Sequence, residues 1–154
     1  MRSRWKDVEI PPPVDNDEPD SEVIAARRQN YAAMIENIDG HVGRMIDLVR
    51  QRGEFDNTVI VYSSDHGEML GDHGRWAKSV WYTPSSGVPL IVSGPGIQSG
   101  VCSDALVSLH DLAATFLDYA QAAPLPDADT RTLRGHLEGH SERHRDFVIS
   151  GLND

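Results

Sequence analysis

This sequence has one cysteine and no long apolar run, and each shortage excludes a class of protein. A single cysteine, Cys102, cannot form an internal disulfide, so the disulfide framework of small secreted domains is absent. No segment approaches the roughly 20 apolar residues that span a bilayer, and no apolar run follows the basic start. We therefore predict a soluble chain without a signal peptide in these residues. The sequence does not indicate the compartment.

Basic residues are also scarce, since 14 lysines and arginines face 24 acidic residues for a net charge of −10. This balance argues against nucleic acid or an anionic membrane as the main partner. Seven acidic residues and four prolines, with no basic residue, lie between Asp7 and Glu22. We predict that residues 1–22 form an extended, solvated arm and that residues 23–154 form one globular region.

A long amphipathic helix is predicted after the arm. Apolar residues recur there at alternating steps of four and three, which places them on one helix face: Tyr31, Ile35, Ile38, Val42, Met45 and Val49. Asp20 or Ser21 can cap its start, and Gly53 can end it. Gly40 lies inside the helix, where glycine is unfavourable, so we expect a neighbouring element to approach closely there.

Apolar runs after the helix predict strands at residues 58–64 and 88–96, with a third at 145–151. The first has apolar residues on both faces, as in a strand that is covered on both sides. Ser108 and Asp111 have capping-box spacing at the start of another helix. Helix, turn and covered strand together are half of a βαβ unit. We therefore predict an α/β fold with a mainly parallel sheet flanked by helices on both faces.

Ionisable residues are concentrated directly after the first predicted strand. Asp65 and His66 stand at its carboxyl end, where ligands bind in open α/β sheets. Both offer lone pairs, and Gly67 permits a sharp turn that lets them approach one cation. The alternative is that Asp65 caps the following segment and His66 is an ordinary hydrogen-bonded polar group.

The motifs "NTVIVYSSDHGEMLGDHGRWAKS" at 57–79 and "VPLIVSGPG" at 88–96 resemble the sulfatase family of the alkaline phosphatase superfamily. Its members share a strand ending in (S/T)DHG or (S/T)DNG, then GDHG and then a lysine. Residues 31–58 resemble the helix before that strand, and "LVSLHDLAATFLDYA" at 106–120 resembles a later segment of the family. The resemblance implies an alkaline phosphatase-like α/β fold and hydrolysis of sulfate esters.

The resemblance also implies roles for individual residues. Asp65 and His66 would bind a divalent metal, with calcium as the first choice and manganese as the second. Lys78 would contact a sulfate oxygen, where its compact charge suits an oxyanion; otherwise it is an ordinary surface lysine. We expect His73 to hold the loop that presents Lys78 rather than to bind metal.

Four neighbours of these residues support weaker hypotheses. Glu68 and Asp72 either orient the histidines as hydrogen-bond acceptors or are solvated loop charges. Trp76 and Trp81 flank Lys78 and either pack in the core or line a substrate cleft.

The family's nucleophile is a formylglycine made from the first residue of a C/S-x-P-x-R motif, and this sequence has no such motif. Cys102 is followed by "SDAL", so we expect a buried structural thiol. The sequence also lacks the family's paired aspartates and upstream histidine and lysine. We interpret residues 23–154 as the C-terminal-side part of a sulfatase catalytic domain, inactive alone and prone to self-association through its incomplete sheet.

Three alternatives are open. A phosphonate or phosphodiester hydrolase of the same superfamily would use the same motif and formylglycine. A non-catalytic sulfatase-like module would bind a partner or a sulfated glycan instead. In "HLEGHSERH", the histidines at steps of four could bind a transition metal on a helix, but the glycines favour a solvated loop: His136, His140 and His144.

Overall fold

The structure is a computed structural model that describes residues 2–19 and 21–151. The chain divides into two compact units. The first consists of Met1–Phe55 and His66–Val88, and the second of Asp56–Asp65 and Pro89–Asp154. In the described residues no helix is long and apolar enough to cross a membrane.

The first unit is built on a helix of 30 residues. A short helix α1 (Arg2–Trp5) precedes it, and α2 spans Glu22–Gln51, which confirms the helix predicted from the apolar spacing. Ser21 holds the N-cap position without a side-chain hydrogen bond, while Asp20 lies outside the described residues. Gly53 has a φ of 69°, a conformation that favours glycine and ends the helix as predicted.

The apolar face of α2 is largely uncovered by the residues that the structure describes. Its buried residues are Ile24 and Ala33, near the N-terminal end. Ile38 is 46% exposed and Met45 is 66% exposed. A Cβ at Gly40 would meet no described atom within 4 Å, so the predicted close approach is wrong. The helical period follows from local sequence, whereas burial depends on a second layer that the spacing does not specify.

Part of the predicted arm contacts the loop that follows the first strand. Pro13 is buried, the Val14 N–H donates to Asp72 Oδ1 at 3.0 Å, and the Asn16 side chain donates to the Gly71 carbonyl at 2.5 Å. These bonds join residues 58 and 55 positions apart. Composition alone does not indicate such long-range contacts.

The last helix of the first unit, α3, spans Thr83–Ser86. In the second unit β1 (Ile60–Ser63) and β2 (Leu90–Ser93) confirm the first two predicted strands. They pair antiparallel, with Ile60 opposite Ser93. The mainly parallel sheet is therefore not shown by the described residues. All four β1 residues are only half-buried, and burial alternates along β2.

The remainder of the second unit differs from the sequence prediction in three places. Residues 145–151, all of which the structure describes, do not form the predicted strand. Arg145 forms only an isolated bridge to Leu106, and the residues after it have no neighbouring strand among the described residues to pair with. The next helix, α4 (Asp111–Tyr119), has His110 at its N-cap, and of the predicted capping box only the bond from the Ser108 N–H to Asp111 Oδ2, at 3.0 Å, is present. Cys102 is exposed, not buried. The last described helix, α5, spans Arg134–Leu137.

Candidate functional site

The loop after β1 is held against α3 at Gly67. The Gly67 N–H donates to the Ser85 carbonyl at 2.9 Å. A Cβ at this position would lie 1.9 Å from the Pro84 carbonyl oxygen, inside any permitted contact distance. Glycine is therefore required here by close backbone approach, and it fixes the position of the peptide next to His66.

His66 and Lys78 are brought together although twelve positions separate them. Lys78 Nζ lies 2.9 Å from His66 Nε2, and His66 Nδ1 lies 2.8 Å from the Gly67 carbonyl oxygen. A carbonyl only accepts hydrogen bonds, so Nδ1 carries the ring proton. Nε2 then presents its lone pair to the ammonium group. Lys78 itself is exposed and His66 is half-buried.

Glu68 shapes the loop that leads to Lys78. Its Oε1 accepts the N–H groups of Ala77 at 2.6 Å and Leu70 at 3.2 Å. The Met69 N–H donates to the Ala77 carbonyl at 2.9 Å, and the Met69 side chain is almost fully buried. Glu68 therefore binds the loop backbone immediately before Lys78. The sequence suggested that it either orients a histidine or is a solvated charge, and these two bonds are to backbone N–H groups instead.

The contacts of His73 are with the arm and with an aromatic ring. The backbone N–H of His73 donates to the Val14 carbonyl at 2.7 Å, and the ring Nδ1 lies 3.3 Å from Asp15 Oδ2. The ring stacks on Tyr82 with centroids 4.0 Å apart. Asp72, next to it, pairs with Arg28 at 3.4 Å. These contacts anchor the "GDHG" segment from several sides.

Asp65 is the last residue of the second unit's first segment, and His66 is the first residue of the following segment of the first unit. Ser64 Oγ lies 3.4 Å from Asp65 Oδ1, and Asp65 is exposed. No group of three or more histidine, cysteine or acidic side chains that could hold a metal occurs among the described residues.

The two tryptophans beside Lys78 differ in environment. Trp76 is half-buried and lies beneath the Arg27 guanidinium, 4.7 Å from its ring centroid. Trp81 is 65% exposed. Core packing therefore suits Trp76 alone, while Trp81 presents an aromatic surface.

The three histidines spaced by four have separate partners. His136 contacts Ser103 and the Ser141 carbonyl, each at 2.8 Å. His140 is 72% exposed, as a solvated loop predicts, but the side chain of His144 is only 7% exposed. Glycine at 139 has a φ of 80°, which ends the short helix and separates the three rings.

A buried carboxylate with basic partners, which the sequence analysis missed, lies in the second unit. The Asp111 carboxylate is fully buried and pairs with Arg145, whose Nε and Nη2 donate at 2.8 and 2.5 Å. His144 Nε2 lies 2.9 Å from Asp111 Oδ2. The backbone N–H groups of residues 108 and 131 also donate to this carboxylate. The "RHRD" segment at 143–146 gave no local sign of this pair, because Glu142 and Asp146 lie beside its basic residues in the chain.

The environment of Asp111 shifts its pKa in opposing directions. Burial raises the pKa, but hydrogen bonds from Arg145, the two backbone N–H groups and His144 lower it by more. The net result is a pKa well below the usual range, so Asp111 is ionised at neutral pH.

This pKa predicts a specific acid sensitivity. Unfolded aspartate titrates near pH 3.9, and Asp111 in the folded chain titrates lower, so its stabilisation is complete above about pH 4 and disappears as the pH falls through the folded value. We expect the stability difference between wild type and Asp111→Asn to shrink below about pH 4. Urea unfolding of both proteins across this range measures it. A difference independent of pH would contradict the assignment.

A protein-family model described as "Sulfatase" matches residues 5–122, which is well over half of the chain. Arylsulfatase K from Bos taurus is 41% identical over 99 residues, which are 64% of this chain and 18% of that protein. An N-acetylglucosamine-6-O-sulfatase from Bacteroides thetaiotaomicron is 35% identical over 120 residues, covering 77% of this chain and 22% of that protein. Both relatives are named as sulfuric ester hydrolases.

A solved structure of the same superfamily resembles this chain in both sequence and fold. The phosphonate monoester hydrolase SpPMH from Silicibacter pomeroyi superposes with a TM-score of 0.74 and 35% identity, covering 86% of this chain and 26% of that one. This chain spans about a fifth of the length of each of the two relatives named in the preceding paragraph. Its fold is α/β and alkaline phosphatase-like, and the chain belongs to the sulfatase family.

Proposed function

We propose that this chain forms the part of a sulfatase active site in which Asp65 and His66 hold a divalent metal and Lys78 contacts a sulfate oxygen. The 2.9 Å approach of Lys78 to His66 carries the proposal, because a lysine twelve positions away has no local reason to meet that imidazole. We also infer that the complete domain has a mainly parallel sheet with helices on both faces.

The chemistry of sulfate esters explains why an ammonium group is needed. Cleavage at sulfur develops negative charge on oxygens, and a fixed cation stabilises that charge more in the transition state than in the substrate. Lys78 supplies a compact charge with three donors on a long stem. Glu68 supports it by holding the Ala77 peptide immediately before it.

The two ligands fit a divalent metal through their donor atoms. Asp65 offers carboxylate oxygens, and His66 offers Nε2, the ring atom that carries a lone pair. A bound metal would supply positive charge to polarise the sulfate group. Family membership implies a divalent metal in general; we propose calcium first and manganese second. Lys78 Nζ lies 2.9 Å from the same Nε2 atom, so a metal held by His66 and the contact with Lys78 would be alternatives at that lone pair.

The nucleophile is the missing element. The family generally uses formylglycine, and this sequence has no C/S-x-P-x-R motif. We therefore propose that residues outside this sequence supply formylglycine and further metal ligands, and that the 154-residue chain alone does not turn over sulfate esters. Exposed apolar residues of α2 such as Met45 and Leu48 support our proposal that the chain self-associates.

Two other functions have specific support to weigh. The likeness to a phosphonate monoester hydrolase favours phosphonate esters as alternative substrates of the same site. A non-catalytic module that binds a sulfated glycan would need the same anion pocket but no nucleophile. Faster turnover of phosphonate esters than of sulfate esters by a complete domain would indicate the first alternative. Absence of turnover with either ester would indicate the second.

A chimera tests the proposal. The matching segment of the Bacteroides thetaiotaomicron N-acetylglucosamine-6-O-sulfatase is replaced by residues 5–122 of this chain. In this chimera we expect Lys78→Ala to lower kcat by about 100-fold, because one donor to the developing charge is lost. The sequence has one other lysine, Lys6, which is exposed, and Lys6→Ala should leave kcat unchanged.

The chimera is assayed with matched sulfate and phosphonate esters, and the isolated chain serves as the inactive reference. Equal activity of the Lys78→Ala and Lys6→Ala chimeras would remove Lys78 from the site. Faster turnover of the phosphonate ester would favour the alternative substrate class. Turnover by the isolated chain would contradict the requirement for an external nucleophile.

A further inference from the structure

A cleft in the second unit is lined by none of the residues assigned to sulfate chemistry. It has a volume of about 240 Å³. Most of its lining is aliphatic, from residues of β2, the loop at 97–107, and Leu133 and Leu137 at the two ends of α5. The polar side chains of Gln98, Ser103 and His136 also line it. Such a mixture suits a small apolar group that carries one reactive polar centre.

Ser103 and His136 have the arrangement of a nucleophile and its base. Ser103 Oγ lies 2.8 Å from His136 Nε2, and His136 Nδ1 lies 2.8 Å from the Ser141 carbonyl oxygen. Because the carbonyl can only accept, Nδ1 carries the proton and Nε2 is the acceptor. The Ser103 hydroxyl therefore donates to Nε2, and the carbonyl fixes both the tautomer and the ring orientation.

A backbone group further favours ionisation of the serine. The Ala105 N–H donates to Ser103 Oγ at 3.1 Å. A hydrogen bond to the oxygen is strongest when that oxygen carries negative charge, so it stabilises the alkoxide as the proton leaves. Ser103 is exposed, and the imidazole is half-buried beside the cleft. The oxygen is thus both accessible and held in one direction.

We propose that Ser103 is a second nucleophile of this chain, activated by His136, and that it accepts acyl groups from esters of small apolar carboxylic acids bound in the cleft. Ser103 Oγ attacks the ester carbonyl carbon while its proton passes to His136 Nε2. The tetrahedral intermediate collapses, the carbon–oxygen bond to the leaving group breaks, and the alcohol takes that proton. Water, deprotonated by His136 Nε2, then attacks the acyl carbon. The bond from that carbon to Ser103 Oγ breaks, Oγ takes the proton from His136, and the carboxylic acid leaves.

The reaction is tested on the intact 154-residue chain with p-nitrophenyl butyrate, and Ser103 acylation is followed by peptide mass spectrometry. We expect a burst of p-nitrophenol with the butyryl group on Ser103. His136→Gln should slow this acylation by about 100-fold, the usual contribution of a general base. Ser103→Ala should abolish the burst.

Matched controls separate the pair from incidental reactivity. His140→Gln removes an imidazole that is 72% exposed and four positions away, and Ser99→Ala removes an exposed hydroxyl of the same loop region. Neither should change the rate, and a chelator should have no effect, because the step needs no metal. Equal acylation of wild type and His136→Gln, or a full burst from Ser103→Ala, would overturn the proposal whatever the outcome at Lys78.

Discussion

Replacing Asp111 with asparagine is expected to destabilise the second unit by about 3–5 kcal/mol, the cost of leaving a buried charge without its partner. The carboxylate is fully buried and accepts from Arg145, His144 and two backbone N–H groups. Asparagine keeps the shape but turns one acceptor into a donor, which then faces the donors that surround it. Urea unfolding at neutral pH measures the loss.

Asp118→Asn is the matched control, since the same substitution is made in the same helix. The Asp118 side chain is 35% exposed where it pairs with Arg134 at 3.2 Å, so solvent can replace its partner and the loss should be much smaller. In a double variant, Arg145→Met should recover part of the loss caused by Asp111→Asn. Equal effects of Asp111→Asn and Asp118→Asn would show that the buried pair contributes no special stability.

Gly67→Ala is expected to destabilise the first unit by about 3 kcal/mol through overpacking against backbone. The added Cβ would fall 1.9 Å from the Pro84 carbonyl oxygen, and a backbone atom cannot rotate away as a side chain does. The Gly67 N–H would also lose its bond to the Ser85 carbonyl. Urea unfolding gives the stability, and amide hydrogen exchange at residue 67 reports the local bond.

Gly43→Ala supplies a control in which the sign is reversed. Gly43 lies inside α2, and a Cβ there meets no described atom within 4 Å. Alanine should therefore stabilise the helix by about 0.5–1 kcal/mol. If Gly67→Ala were also neutral or stabilising, α3 would not be held against the loop as the structure shows.

Long-range contacts account for most of what sequence reasoning missed. The repeating apolar spacing predicted α2 and the apolar run predicted β1, since both depend on neighbours within a few positions. The Asp111 pair with Arg145 joins residues 34 positions apart, and neither residue carries a local sign of it. The antiparallel pairing of β1 with β2 likewise depends on which strand is adjacent, which an apolar run does not specify.

The candidate site divides in the same way. The motif around Asp65, His66 and Lys78 was recognisable because it resembles a motif of the sulfatase family in both residue types and order. The hydroxyl–imidazole pair of Ser103 and His136 was not readable, because 33 positions separate common residues that no motif links.

The sequence by itself determined the family, the helical and strand periods and the residues available for chemistry, because these follow from residue type and short spacing. Only the tertiary structure decided that Lys78 meets His66 Nε2, that Gly67 admits no side chain and that Asp111 is buried among donors. Those outcomes depend on which distant segments approach each other. Burial and hydrogen bonds between such segments contribute free energy only when the segments are in contact.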